Sequence, residues 1–433
     1  MSTGDLDGEL EAEAIARDNS SGSSRPGRLS GSVFRHKSFR TFFIAASISN
    51  GAAWMQLVAV PALLFDMTDS ATWVGFSTLV NTMPSVFFTA WAGVIADRVS
   101  RKRMLIATQT VQMMASFSLF ALYAADMLSP WWIITIGFLN GVATGFGAPT
   151  WQAFVPSLVP EEDMLDAVRL NSVQFTLARF IGPALAGVVI TAFGPGAAIF
   201  GNASTFILVI VVLAVVTTRP GSTASREFTV MTALKNGARY MWRHTPMRLA
   251  VIMAFVSSCF GQAVQFISAA VAARIFDRPS TDNAGLMMAL GLGSVLASIV
   301  SARYGKQMKR STAIRQALVF YVLSTLLIAA TSNYFLGMIG FFLGGMAHLL
   351  MAVALNTLIQ GTVPDRVRGR AVSFYLLGVL AGIPVGSFAL GALGDLVSLR
   401  VGLIAYAVVF VAVHTVLHTK NLFPLFDVEK LDD

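Results

Sequence analysis

Twelve apolar stretches, each about as long as the hydrocarbon layer of a membrane is thick, constrain what this chain can fold into. A helix needs about 20 apolar residues to cross that layer. The sequence therefore predicts an all-α polytopic membrane protein with twelve transmembrane helices in two six-helix halves. The predicted spans are 41–65, 73–96, 104–125, 131–154, 166–192, 195–217, 247–272, 283–301, 314–331, 334–361, 371–393 and 398–417.

Composition excludes several other classes of protein. Only 12% of the residues are charged and 55% are hydrophobic, whereas soluble domains carry about 25% charged residues. The net charge of +8 comes from cations in short loops between apolar stretches, so it does not indicate a nucleic-acid partner. We find no Walker-type phosphate loop, metal-ligand cluster or nucleophile–base set. We therefore expect neither an enzyme nor a primary pump, and no metal or cofactor.

The polar stretches divide the chain into two halves. Residues 1–38 are rich in acidic residues and then in Ser, Gly and Arg, a composition that predicts a disordered tail. A second polar stretch separates the sixth predicted helix from the seventh. The predicted organisation is 1–38 cytoplasmic tail, 39–217 N-terminal half, 218–246 cytoplasmic linker, 247–418 C-terminal half and 419–433 cytoplasmic tail.

The two halves also resemble each other in sequence. The stretch Phe138-Leu-Asn-Gly141 matches Phe342-Leu-Gly-Gly345 at an offset of 204 residues. The same offset pairs Gly182 with Gly386 and Gly187 with Gly391. Parallel six-helix repeats with a site between them near the midplane form the architecture that alternating access requires.

The distribution of cations predicts the orientation. If the N-terminus is cytoplasmic, the opposite side keeps only three basic residues, Arg274, Arg278 and Arg400. Cytoplasmic loops of membrane proteins carry an excess of Lys and Arg. Both termini are therefore expected in the cytoplasm.

The turn between predicted helices 2 and 3 combines one acid with several cations. The Asp97 carboxylate can accept charge-assisted hydrogen bonds from Arg98 or Arg101, and Gly93 lets a neighbouring backbone approach closely. We predict a conformational latch made of Gly93, Asp97, Arg98, Arg101 and Lys102. The alternative is a basic loop that only orients the protein. Asp97 is superfluous to that role, so we favour the latch.

Predicted helix 5 contains a cation and a kink motif. Arg179 lies about thirteen residues, or some 20 Å of helical rise, into its span. Intramembrane cations are costly, and most are functional or paired. Pro183 removes a backbone donor while Gly182 and Gly187 allow close packing, so this helix is expected to flex as a gate. The alternative for Arg179 is a structural bond to backbone carbonyls.

The helix 2–3 turn resembles the corresponding loop of the major facilitator superfamily. A narrower resemblance, to the exporters grouped with the enterobactin exporter and the macrolide efflux pumps, lies in Phe39-Arg-Thr-Phe-Phe43, Ala148-Pro-Thr-Trp-Gln152 and Pro364-Asp-Arg-Val-Arg-Gly369-Arg370. This resemblance implies export of a small amphipathic compound, such as a siderophore or a drug. It also implies proton antiport by a monomer in the bacterial cytoplasmic membrane.

In this superfamily helices 1, 4, 7 and 10 line the substrate cavity. Polar or aromatic residues on those helices are therefore candidates for substrate binding: Asn50, Trp54, Gln56, Asn140, Gln152, Gln262, Gln265, His348 and Asn356. Each one alone is also consistent with a bond between helices. These four helices lack a buried carboxylate, so proton coupling is assigned to Asp97 and to His348, whose imidazole titrates near neutral pH. An acid at a helix end such as Asp66, or the ionisation of the substrate itself, is the alternative. An interhelical hydrogen bond is the alternative role of His348.

Two other functions remain open. An importer of a small polar metabolite would have a more charged cavity than these residues form. A receptor with the same fold that does not transport is the second alternative, and the intact helix 2–3 turn argues against it.

Overall fold

The structure is a computed structural model that describes residues 31–96, 100–218, 239–305 and 307–428. Twelve long helices account for most of these residues. Their bounds are α1 Lys37–Thr68, α2 Ala71–Ala96, α3 Arg101–Ala124, α4 Pro130–Phe154, α5 Met164–Phe193, α6 Pro195–Val215, α7 Thr245–Phe266 with a second part Ser268–Phe276, α8 Asn283–Tyr304, α9 Arg310–Ala330, α10 Tyr334–Thr362, α11 Asp365–Leu396 and α12 Leu399–Thr419.

Length and composition agree with a membrane location. Within the described residues, eleven of the helices, all except α2, are long and apolar enough to cross a membrane, and α2 has 26 residues. The predicted all-α membrane fold is thus confirmed.

Local sequence sets where several helices begin. The Ser100 hydroxyl accepts from the backbone N–H of Arg103 at 3.3 Å and caps α3. The Asn333 side chain likewise accepts from two backbone N–H groups at the start of α10. Pro130 and Pro195 occupy the first turns of α4 and α6, where a missing N–H costs nothing. N-caps and prolines therefore determine the first residues of these helices, which the length of an apolar stretch does not determine.

The hydrophobic cores show how the halves are joined. We call the side where α1 begins and α12 ends the termini side, and the other the opposite side. On the termini side each half has a separate core, one around Phe42, Phe154 and Leu213 and one around Leu318 and Phe410. On the opposite side a single core contains residues of both halves. The two halves are therefore packed together on the opposite side.

The two halves use glycine equivalently. A Cβ added at Gly141 of α4 would overlap the carbonyl oxygen of Asn81 in α2. One added at Gly345 of α10, 204 residues later, would overlap the carbonyl oxygen of Leu290 in α8. The residue offset seen in the sequence thus corresponds to the same helix crossing in each half.

The structure corrects the extent of the N-terminal tail. Residues 31–38, which we assigned to the disordered tail, form a 3-10 turn at Gly31–Arg35 and the first residues of α1. Val33 is buried, and Asp163 forms a hydrogen bond with His36 at 2.7 Å and an ion pair with Arg35 at 3.2 Å. The burial of Val33 and the contacts with Asp163 hold residues 31–38 against the N-terminal half. Residues 1–30 lie outside the described part of the chain.

Helix α7 is not the continuous helix that we predicted over 247–272. A π-helical turn covers Ser257–Gln262, and Ile267 interrupts the helix before Ser268–Phe276. A Cβ added at Gly261 would overlap the ring of Tyr321. The glycine therefore lets Tyr321 pack against the turn, a tertiary contact that helical periodicity does not reveal. Such turns are frequent at functional sites.

Candidate functional site

A cation–aromatic contact joins α5 to α1 in the middle of the bundle. The guanidinium carbon of Arg179 lies 5.3 Å from the centre of the Trp54 ring. One turn further along α5, a Cβ added at Gly182 would overlap the Trp54 side chain. The glycine therefore brings the two helices close enough for this contact. The structure thus brings together two residues that the sequence placed in separate roles.

Arg179 also faces the C-terminal half. Helix α8 approaches α5 at Gly291, where an added Cβ would lie 2.9 Å from the carbonyl oxygen of Arg179. Among the described residues, no hydrogen bond or acidic partner of Arg179 is found. The predicted alternative, a bond to backbone carbonyls, therefore has no support in this conformation.

A small cavity lies beside this region, among α7, α8, α9 and α10. Three predicted residues line it, namely Gln262, Gln265 and His348. Gln262 donates from Nε2 to the Ser258 hydroxyl at 2.8 Å within the π-helical turn. Ser324 and Phe341 complete a lining of polar and apolar groups. Ser324 lies on α9, which we did not expect to contribute.

The other predicted substrate residues have different surroundings. Gln56 accepts from Asn202 of α6 at 2.7 Å, and Asn140 accepts from Gln112 of α3 at 3.3 Å. Asn356 is exposed and accepts from Gln360 at 2.9 Å. The amide nitrogen of Asn50 is buried and has no hydrogen-bond partner among the described residues. Gln152 is exposed.

The predicted latch is described only in part. Asp97 and Arg98 lie outside the described residues, and of Gly93 only the backbone, within α2, is described. Arg101 donates to the Ala153 carbonyl at 3.1 Å, near the end of α4. Lys102 donates to the carbonyls of Ala214 and Val216 at 2.8 and 3.0 Å, at the end of α6. Both cations thus bind helix C-termini, where positive charge is favoured.

A carboxylate from one half caps a helix of the other half on the opposite side. Asp395, near the end of α11, accepts from the backbone N–H groups of Ala71 and Thr72 at 3.0 and 2.9 Å and from the Ser70 hydroxyl at 2.5 Å. Arg274, in the second part of α7, donates to Asp395 at 2.5 Å and also to the carbonyl of Asp69. We call this group of residues, Asp69 to Thr72 with Arg274 and Asp395, the clasp.

Sequence reasoning missed the clasp. Arg274 was visible only as one of the three basic residues expected on the opposite side. Ser70 and Asp395 are 325 residues apart in the chain, and no local spacing indicates that they meet.

Close backbone contacts surround the clasp. A Cβ added at Gly75 of α2 would overlap the carbonyl oxygen of Ser387 in α11, and one at Gly391 of α11 would overlap that of Ala71 in α2. Asn283 of α8 donates to the Val58 carbonyl of α1 at 3.1 Å. On the opposite side, hydrogen bonds and close glycine contacts between the halves therefore accompany the core that both halves share.

This arrangement of two helical halves defines a membrane transporter of the major facilitator superfamily. The model of the transmembrane secretion effector family matches residues 30–432. The chain belongs to that family.

Similar proteins agree with this assignment. A transporter of this superfamily from Bacillus subtilis, YfiS, is 23% identical, with 78% of this chain and 82% of YfiS covered. The enterobactin exporter EntS of Salmonella typhimurium is 24% identical, covering 84% of this chain and 87% of EntS. The crystal structure of the nucleoside transporter NupG has a TM-score of 0.72 at 12% identity, covering 88% of this chain and 98% of NupG. These relatives are transporters rather than enzymes.

Proposed function

We propose that this protein is a secondary active transporter that exports a small amphipathic compound, such as a siderophore or a drug, by alternating access. The clasp is the observation that supports alternating access most directly. It joins the halves by polar contacts beside the core that they share on one side, while each half keeps a separate core on the other side. Rocking the halves would break the clasp and leave both six-helix units packed.

Export is supported by the relatives and by the cavity. The enterobactin exporters cover most of this chain. The cavity combines glutamines, His348 and apolar groups, and contains no acidic residue among those that line it. A site of this kind suits an amphipathic compound better than a strongly charged nutrient.

The proposed location is the bacterial cytoplasmic membrane, with both termini in the cytoplasm and the protein acting as a monomer. On the termini side, the first residues of α1, α3 and α9 carry many of the cations, among them Lys37, Arg101 and Arg310. This distribution agrees with the positive-inside rule. In this orientation the structure is closed towards the outside. The division of the chain into two six-helix halves joined by a cytoplasmic linker near 218–246 is part of this proposal.

Mass spectrometry of cells and medium tests the function. A deletion strain and its complemented parent are grown with and without iron. We expect a compound that accumulates inside the deletion strain and returns to the medium on complementation. Accumulation only under iron limitation would identify a siderophore. An unchanged metabolite profile and unchanged drug susceptibility would contradict export.

The predicted latch provides one mutational test. We expect Asp97→Asn to slow transport about tenfold and to leave folding and substrate affinity close to wild type, because a latch biases states rather than binding substrate. Initial rates and binding are measured in proteoliposomes. Lys309→Gln, which removes a cation at the start of α9, is the control. Wild-type turnover of the Asp97 variant would exclude the latch.

Proton antiport through His348 provides a second test. His348→Gln keeps a polar side chain in the cavity but cannot carry a proton. We expect substrate flux in vesicles to lose its dependence on an imposed pH gradient, while binding at fixed pH persists. The same profile is recorded for Arg169→Gln as the control, because Arg169 lies on α5, is exposed and is paired with Asp166 at 3.0 Å. An unchanged dependence on the gradient would remove His348 as the proton carrier.

A further inference from the structure

An unpaired positive charge lies in the centre of the bundle. Arg179 lies 15 residues after the first residue of α5, or about 22 Å along the helix, and is therefore remote from both membrane surfaces. Its contact is with the face of Trp54. Within the residues that the structure describes, neither a carboxylate nor a hydrogen-bond acceptor is paired with it. Charges inside a membrane are costly, and such residues mark partners or substrate pathways.

The groups around Arg179 do not supply an anion. Leu290, next to the glycine that contacts the Arg179 backbone, lines the cavity together with Gln262, Gln265 and His348. The described lining is neutral or basic. Arg179 and Trp54 do not themselves line this cavity, and Arg179 is linked to it through the Leu290–Gly291 segment of α8. The cavity supplies amides and apolar groups, and neither it nor the Trp54 face supplies a negative charge to match Arg179.

We propose that Arg179 is the counter-ion site for an organic anion, so that the exported substrate carries a carboxylate, sulfonate or deprotonated phenol beside an apolar part. This inference rests on the proposed function and names its substrate class. A guanidinium binds a carboxylate through two parallel hydrogen bonds. Trp54 would contact the apolar part, and Gln262 and Gln265 would satisfy further polar groups. A neutral or cationic compound would leave Arg179 unpaired.

Thermal unfolding of the purified full-length protein in a neutral detergent tests this inference. The probe is salicylate, compared with salicylamide, which has nearly the same shape and no carboxylate. A ligand that binds only the folded state raises the unfolding temperature. We expect salicylate to do so at a concentration at least tenfold lower than salicylamide, and sodium chloride at equal ionic strength to have no effect. Equal effects of the two probes, or an equal rise with chloride, would overturn the proposal.

Variants assign the effect to Arg179. Arg179→Gln should weaken the salicylate effect at least tenfold, and Arg179→Lys, which keeps the charge, should weaken it less. Arg169→Gln is the matched control, because Arg169 lies on the same helix and is exposed and paired with Asp166 at 3.0 Å. An undiminished salicylate effect in Arg179→Gln would overturn the proposal. If that variant does not fold, the wild-type preference and the lysine variant still decide the question.

The anion-site proposal and the export proposal can fail independently of each other. If the deletion strain retains a neutral compound, export stands and the anion site is excluded. If no compound depends on the protein while salicylate binding still requires Arg179, the anion site stands and export is excluded.

Discussion

Replacing Asp395 by Asn should open the opposite side of the protein. The carboxylate accepts two backbone N–H groups at the start of α2 and also binds Arg274. Hydrogen bonds to a charged group contribute about 1.5–3 kcal/mol each. When the opposite side is open, water would solvate Asp395. The substitution therefore destabilises only the closed state. A net change of about 2 kcal/mol shifts the ratio of the two states roughly 30-fold.

Spin labels on exposed loops of the two halves measure this shift. Met127 and Val397 are 66% and 64% exposed and lie on the opposite side in different halves. Cys259, the chain's one cysteine, is buried and is replaced by Ala so that only the introduced cysteines react. We expect Asp395→Asn to lengthen the label distance and to reduce transport, because each cycle must close the clasp again.

A neighbouring charge pair provides the control. Asp282 binds Arg278 at 2.8 Å on the same side, but both residues belong to the C-terminal half. Asp282→Asn should leave the label distance unchanged. If the Asp395→Asn variant also shows the wild-type distribution of label distances, the clasp does not hold the halves together.

Features set by local sequence could be predicted, whereas contacts between residues far apart in the chain could not. The helices were predictable because the thickness of the membrane sets the length of each apolar stretch. Arg179 was also identifiable, since an arginine inside such a stretch is conspicuous by itself. Its contact with Trp54 and the contacts of the clasp join residues 121 or more positions apart, and no local pattern encodes them.

Side-chain direction was equally inaccessible from the sequence. Gln56 and Asn140 lie on the helices that we expected to line the cavity, but both bind neighbouring helices of their own half. Only tertiary packing decides which face of a helix meets the cavity. The π-helical turn of α7 likewise depends on Tyr321, a residue 60 positions beyond Gly261.

Valine in place of Gly391 should abolish transport without unfolding the protein. A Cβ at Gly391 would overlap the Ala71 carbonyl, and the additional methyl groups would prevent α11 from approaching α2. Overpacking costs about 1–3 kcal/mol. Here the cost applies only while the opposite side is closed, because Ala71 and Gly391 belong to different halves. We therefore expect the unfolding temperature to stay close to wild type while flux falls at least tenfold. Gly75→Val should act in the same way, since it faces the Ser387 carbonyl.

Glycines within one half separate this effect from simple destabilisation. Gly345→Val would overlap the Leu290 carbonyl between α10 and α8, a contact that rocking does not release, so the unfolding temperature should fall. Gly201→Val, where an added Cβ would meet nothing within 4 Å, should change neither stability nor transport. Label distances should lengthen for Gly391→Val and stay unchanged for Gly201→Val. If Gly391→Val transports normally, or if it unfolds as readily as Gly345→Val, the α2–α11 contact is a fixed part of the fold and not a surface that opens.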